Sequence, residues 1–210
     1  MGRTDLEKAE EAEPHFGINP RRDGVRPLDL ASVFGNPNPV VLEIGSGKGR
    51  FLVESARANP GVNFLGIEKS LHYYRHILRR LATWSARNAR IINYDASEVV
   101  SDMLADESIR EVHIYFPDPW PRSKHQKRRI VRKDVLRNFM RILQPGGHGV
   151  YVTDHAESFE SVVPELEEFF DVTAGEVTGI PPRTNYEAKY REEGRPIYEV
   201  RFRLSRDRGR

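Results

Sequence analysis

The sequence predicts an α/β fold in which a mostly parallel sheet is covered by helices on both faces. Three observations predict it. Short apolar runs alternate with amphipathic stretches from Val40 onward, each run stops at a glycine, a proline or an acid, and one late segment alternates apolar with charged residues. Strands that alternate with helices imply right-handed crossovers between parallel neighbours. The late segment, residues 197–204, reads as an antiparallel strand. Ligands of such sheets gather beyond the carboxyl ends of the strands, so residues just after each strand are the candidates for chemistry.

Taken in order, residues 1–38 carry Pro14, Pro20, Pro27 and Pro37 among scattered charges and are expected to form a largely irregular arm, with one domain over 39–210. Residues 40–44 form a buried strand that runs into Gly45-Ser46-Gly47-Lys48-Gly49. A helix over about 50–58 follows and is stopped by Asn59-Pro60-Gly61. Residues 63–68 are the next strand. Ser70 caps a helix in which Leu71, Tyr74, Leu78 and Leu81 recur at helical spacing. Strands are predicted over 90–94, 111–116 and 148–153, and helices over 96–104, 133–143 and 157–170.

Composition narrows the function classes. The 210 residues suit one domain with a real core, and 38% hydrophobic against 30% charged residues suits a folded globular chain. No cysteine is present, which excludes disulfides, thiolate zinc sites and cysteine nucleophiles. No run approaches the roughly 18 apolar residues of a membrane span. Residues 1–13 are acidic and polar, unlike a signal peptide, so the expected location is the cytoplasm. His72 and His76 share a helix face, but the glutamate that would complete a zinc motif is missing, and no metal is expected. The net charge is only +2, yet residues 122–133 hold seven Lys or Arg and no acid. Such a segment points to a polyanion, or else to a solvated helix face.

The glycine turn admits three readings. A phosphate-binding loop needs a glycine where Leu42 stands and Ser or Thr where Gly49 stands. A dinucleotide fingerprint needs a third glycine where Arg50 stands. The remaining pattern, acid-x-Gly-x-Gly-x-Gly from Glu43, resembles the first motif of class I methyltransferases. Glu68 ends the second strand, where a carboxylate can accept both hydroxyls of a ribose. Asp95 ends the third, placed for an adenine amino group. A sulfonium cation tolerates carboxylates around it, whereas a pyrophosphate does not, which favours S-adenosylmethionine over NAD.

Phe116-Pro117-Asp118-Pro119-Trp120-Pro121 is the most distinctive string. Three prolines fix φ and remove amide donors, giving a stiff loop suited to holding a planar base. Asp118 can accept hydrogen bonds from the N1 and N2 donors of guanine, and Trp120 can stack or brace. This loop, followed by Arg122-Ser123-Lys124-His125-Gln126-Lys127-Arg128-Arg129, resembles the signature of the bacterial tRNA (guanine-N7)-methyltransferase family. Glu43-Ile44-Gly45, Gly66-Ile67-Glu68, Asp95-Ala96, Thr153-Asp154 and Thr184-Asn185-Tyr186-Glu187 match its other motifs in order.

That resemblance implies a class I (Rossmann-like) S-adenosylmethionine-dependent methyltransferase fold with a mostly parallel seven-stranded sheet. It also implies methyl transfer to N7 of a variable-loop guanine, position 46 of tRNA. Cofactor contacts fall on Glu43, Gly45, Gly47, Glu68, Asp95 and Asp118, with Asp118 also the catalytic residue. Substrate contacts fall on Arg122, Asp154, Thr184, Asn185, Tyr186 and Glu187, and tRNA phosphates on Lys124, Lys127, Arg128 and Arg129. The family usually has lysine at the positions of Arg122 and Asn185, so those two contacts differ in this chain. Two rivals stand beside this reading: an amino-group methyltransferase, against which Trp120 counts, and a non-catalytic RNA-binding protein on the same fold. An NAD-dependent dehydrogenase ranks behind both.

Overall fold

The computed structural model describes residues 4–119 and 129–204, in two compact units that divide after Ala105. In the first unit, strands β1 (Gly17–Ile18), β2 (Val40–Ile44), β3 (Asn63–Ile67) and β4 (Ala89–Ile92) pair in the order β1-β4-β3-β2, all parallel. Every residue of β2 and β3 is buried, the pattern of strands covered on both faces. Helices α4 (Arg50–Ala58) and α5 (Leu71–Thr83) supply Leu52, Val53, Tyr74, Ile77, Leu78 and Leu81 to the core on one face. Ser70 caps α5 as its sequence predicts, Oγ accepting the Tyr73 amide.

Residues 1–38 depart from the expected irregular arm. Helix α1 (Asp5–Phe16) starts with a capping box in which Thr4 and Glu7 satisfy one another's amides. It packs on α5 through Ala9 and Ala12, and the short turns α2 (Pro20–Asp23) and α3 (Leu30–Phe34) follow. Pro14 lies inside α1 and removes one helical amide donor, a loss that the docking of α1 on α5 offsets, so the proline spacing is a poor guide here. Docking of α1 delivers Gly17 and Ile18 to the edge of β4, where they cover its exposed amides and carbonyls. That strand takes the number of strands among the described residues to eight, where seven were expected.

In the second unit, β5 (Ile109–Tyr115), β6 (Leu143–Thr153), β7 (Asp171–Glu176) and β8 (Tyr198–Arg203) pair in the order β5-β6-β8-β7. The β5–β6 pair is parallel, and β8 is antiparallel to both its neighbours, as the alternating tail predicted. Helix α7 (Lys133–Ile142) buries Val135, Leu136, Phe139 and Ile142, and α8 (Ala156–Glu167) buries Val162 and Leu166. Phe202 of β8 stacks between Phe139 and Phe170, with ring centroids 6.4 and 5.0 Å away. Helix α9 (Asn185–Glu192) was not foreseen.

Candidate functional site

In the first unit, the chain leaves β2 through a turn that only glycine accommodates comfortably. Gly45, Gly47 and Gly49 have φ of 76°, 53° and 69°, which points the backbone back toward β3. The Gly45 and Ser46 amides donate to the Ile67 carbonyl at 2.9 and 3.1 Å. Glu68 closes the turn from the other side: Oε2 accepts the Gly47 amide at 2.8 Å and Oε1 accepts the Ser70 amide at 2.7 Å. Gly66 permits this approach, since a Cβ there would lie 2.6 Å from Ser46 Oγ and 2.9 Å from both Ile91 and Leu52. By contrast, a Cβ on Gly45 would meet nothing within 4 Å. The space beside that glycine is open to a ligand.

Glu43 lies in β2 at 3% exposure. Burial pushes its carboxyl up to about 8; the Ser46 hydroxyl and the Leu52 amide pull the other way, and the neighbouring Glu68 charge adds to the rise. Its Oε2 is buried without a hydrogen bond. A buried acceptor left over in a packed strand is rare and calls for a partner. A cation beside it would restore the ionised form. Glu43, Gly45, Gly47 and Glu68 therefore come together as one cradle, and their donor set fits the cationic, phosphate-free cofactor S-adenosylmethionine.

Asp95 stands at the end of the adjacent strand. It caps the turn Ala96–Glu98, Oδ1 accepting the Ser97 amide at 2.9 Å, while Oδ2 accepts Lys69 Nζ at 2.9 Å. Burial raises its pKa, but the Lys69 ammonium and the Ser97 amide outweigh that and hold the carboxyl below its usual range. Two residues missed in the sequence join these parts. Lys69 follows Glu68 directly, and the fully buried Asn93 donates from Nδ2 to the Glu68 and Lys69 carbonyls at 2.8 and 3.2 Å.

The second unit holds the other candidates. Phe116, just past β5, takes φ of 50°, an uncommon conformation for a bulky residue. It is held there by its amide's bond to the Val152 carbonyl at 2.7 Å and by an edge-on contact with the Tyr190 ring at 5.4 Å. This sharp exit presents Pro117, Asp118 and Pro119, with Asp118 exposed. The three share a cleft with Arg129 and Tyr151. Arg129 Nε is buried without a partner among the described residues, an unspent donor beside Asp118's cleft. Trp120, Arg122, Lys124, Lys127 and Arg128 lie outside the described residues.

Asp154 follows β6 and accepts Arg195 Nη1 at 2.9 Å; Arg195 in turn lies over the Tyr190 ring at 4.6 Å. Thr184 caps α9, its Oγ1 accepting the Glu187 amide at 3.0 Å. Glu187 is wholly buried and takes hydrogen bonds from the Arg183 amide at 2.9 Å and from the side chains of Arg183 and Arg191, the latter at 2.7 Å. Arg183 also pairs with Glu199 and lies over the Tyr115 ring at 5.3 Å. Thr184 and Glu187 thus anchor α9 to the root of the proline loop, while Asn185 and Tyr186 between them face solvent. Among the described residues no helix is long and apolar enough to cross a membrane.

The chain resembles known proteins in sequence and in fold. A family model described as "Putative methyltransferase" matches residues 37–200. A tRNA (guanine-N(7)-)-methyltransferase of Nitrosococcus oceani is 36% identical over 92% of this chain and 82% of its own length. One from Francisella tularensis subsp. novicida is 37% identical over 84% of this chain and 80% of its own. Among solved structures, a SAM dependent methyltransferase from Aquifex aeolicus superposes at a TM-score of 0.57, with 12% identity over 97% of this chain and all of that one. A 30S ribosomal A1408 methyltransferase from an uncultured bacterium gives 0.58, with 19% identity over 84% and 93%. At such identities these two matches speak to the fold alone.

Proposed function

This chain belongs to the tRNA (guanine-N7)-methyltransferase family, and from that premise we propose that it methylates N7 of guanine 46 in the tRNA variable loop, in the cytoplasm, using S-adenosylmethionine. The observation that carries the reading is the unpartnered, buried carboxyl oxygen of Glu43 behind an open glycine turn. A cationic, phosphate-free ligand answers both features at once. Glu68 is the holder of the ribose hydroxyls, and Asp95 with the backbone beside it that of the adenine edge.

When bound, the cofactor supplies an electrophilic methyl group on a sulfonium. Guanine N7 carries a lone pair and no proton. Its attack would form the N–C bond as sulfur keeps the C–S electron pair, so the positive charge would pass to the purine and no base is obligatory. The protein's work is alignment, exclusion of water and stabilisation of that moving charge. Asp118 accepts the guanine N1–H and N2–H, which fixes the ring and places a carboxylate beside the developing cation. The stiff Phe116–Pro119 exit keeps that carboxylate in position. Asp154 is a second holder of base or ribose, and Asn185 and Tyr186 offer the exposed part of the α9 entrance. Arg122 is a further substrate contact, and the basic side chains of Lys124, Lys127, Arg128 and Arg129 grip phosphates and add affinity more than sequence choice.

The test is methyl transfer from labelled S-adenosylmethionine to unmodified tRNA, with the modified nucleoside identified and mapped. The reading requires N7-methylguanosine in the variable loop. N6-methyladenosine as product, or no cofactor binding in calorimetry, would replace it with one of the rivals. Asp118→Ala should lose at least a hundredfold in kcat and still bind tRNA; unchanged turnover would remove Asp118 from its role.

A further inference from the structure

At the end of the first unit's strands away from Glu43, Glu68 and Asp95 lies an open pocket of about 570 Å³. Its walls are His15, Phe16, Phe34, Ser85, Arg87 and Arg90. No acid lines it. Arg90, the second residue of β4, is half-buried; its Nη1 donates to the Arg87 and Ala89 carbonyls at 2.8 Å, and its guanidinium lies over the Phe34 ring at 5.3 Å. Among the described residues neither Arg87 nor Arg90 pairs with a carboxylate. A half-buried cation without a counter-charge is costly, and such cations are normally paired. An anion would supply the counter-charge that the two carbonyls and the ring do not.

The surroundings narrow its chemistry. The half-buried Phe16 and the edge of the buried Phe34 ring, under Arg90, add apolar lining, and the volume falls within the roughly 300–1,000 Å³ of small-ligand sites. The residue before Ser85, Trp84, is 48% exposed, with the Arg57 guanidinium 4.0 Å over its ring. Arginines interleaved with aromatic side chains, Trp84 exposed among them, suit a nucleotide unit, phosphate on the cations and base on a ring. We propose that this pocket is a second tRNA contact, taking one phosphate and an adjoining unpaired base at a distance from the methyl-transfer site. Asp95 stands five residues past Arg90, roughly 17 Å of extended chain. A guanine held at the carboxyl ends therefore leaves the pocket to a different part of the same tRNA. The proposal rests on tRNA being the substrate.

The test is tRNA binding by the full chain without cofactor, measured against salt concentration, for wild type, Arg87→Gln and Arg87→Gln/Arg90→Gln. Each lost phosphate contact should lower the slope of log K against log salt by about 0.7–0.9. The double variant should bind about tenfold more weakly at low salt. Should Arg90→Gln fail to fold, Arg87→Glu carries the same test, because Arg87 is exposed. Slopes equal to wild type would overturn the proposal, and so would AMP or inorganic phosphate binding here while tRNA slopes stay equal. Since methyl transfer is not read in this assay, a protein that binds tRNA without methylating it would sink the enzymatic reading and leave this one standing.

Discussion

Cofactor binding should release a proton from Glu43. In the free protein this carboxyl titrates near pH 8, and its ordinary value is 4.5, so at neutral pH it holds its proton. A cation seated against Oε2 favours the anion. Ionising the group before binding costs about 1.4 kcal/mol at pH 7 and about 2.7 kcal/mol at pH 6, at 1.36 kcal/mol per pKa unit. The dissociation constant for S-adenosylmethionine should therefore fall about tenfold per pH unit from 6 to 8 and then level off. Close to one proton should leave per cofactor bound at pH 6. Isothermal titration calorimetry in two buffers of different ionisation enthalpy counts that proton. Glu43→Gln, which cannot titrate, should flatten the pH dependence and so separates this carboxyl from the cofactor's own amino group. A constant affinity between pH 6 and 8 with no proton exchanged would refute the reasoning. The same shift acts on the protein without cofactor. Between pH 4.5 and about 8 the native state binds the proton that the unfolded chain has lost, so stability declines with rising pH across that window.

Other positions give further expectations. Glu187→Ala removes a buried carboxylate from between Arg183 and Arg191 and should cost about 3 kcal/mol, read as a thermal midpoint lowered by roughly 6–12 °C; a shift under 2 °C would show that the cluster does not hold α9. Gly149→Ala puts a methyl group into the Phe202 ring, which Phe139 and Phe170 confine, and should cost about 1–3 kcal/mol in urea unfolding. An unchanged midpoint would mean that the ring moves aside freely. Tyr74→Phe deletes the hydroxyl donor to Glu13 at 2.8 Å, and should lower stability by about 1 kcal/mol while leaving methyl transfer intact.

Much of the fold was legible because its signals are local. The runs at 40–44 and 63–68 are mostly apolar, with Glu43 inside the first and Glu68 closing the second, so their strands and the acids at their ends could be read directly. The tail over 197–204 alternates, and β8 is antiparallel as that requires. What stayed hidden depended on tertiary partners. Strand β7, Asp171–Glu176, has no apolar period because most of it is exposed, and only pairing with β8 makes it a strand. The helix α1 is rich in glutamate and carries Pro14, yet Ala9, Ala12 and Phe16 pack inward and Asp5 and Glu13 bond to Arg79 and Tyr74 of α5. A two-residue strand such as Gly17–Ile18 has no sequence signature at all; it exists because that helix delivers it.

The site divides along the same line. Glu43, Glu68 and Asp95 were legible as acids at successive strand ends, a pattern set by topology. Asn93 and Lys69 were not, since their roles lie in bonds to carbonyls and to Asp95 that only the folded register brings within reach. The Thr184–Glu187 segment shows why a motif match and a structural role can differ for the same residues. Spacing of three along a helix start is what a cap requires, and a glutamate at that third position is free to turn inward when arginines wait for it. Arg183 and Arg191 do wait, and Glu187 is consequently sealed from solvent. With its oxygens spent on those arginines, Glu187 reaches a guanine only by breaking ion pairs. Asn185 and Tyr186, exposed on the same turn, reach solvent without breaking a buried ion pair. If this turn touches tRNA, physical economy assigns the contact to the two exposed side chains and the anchoring to the buried pair that flanks them.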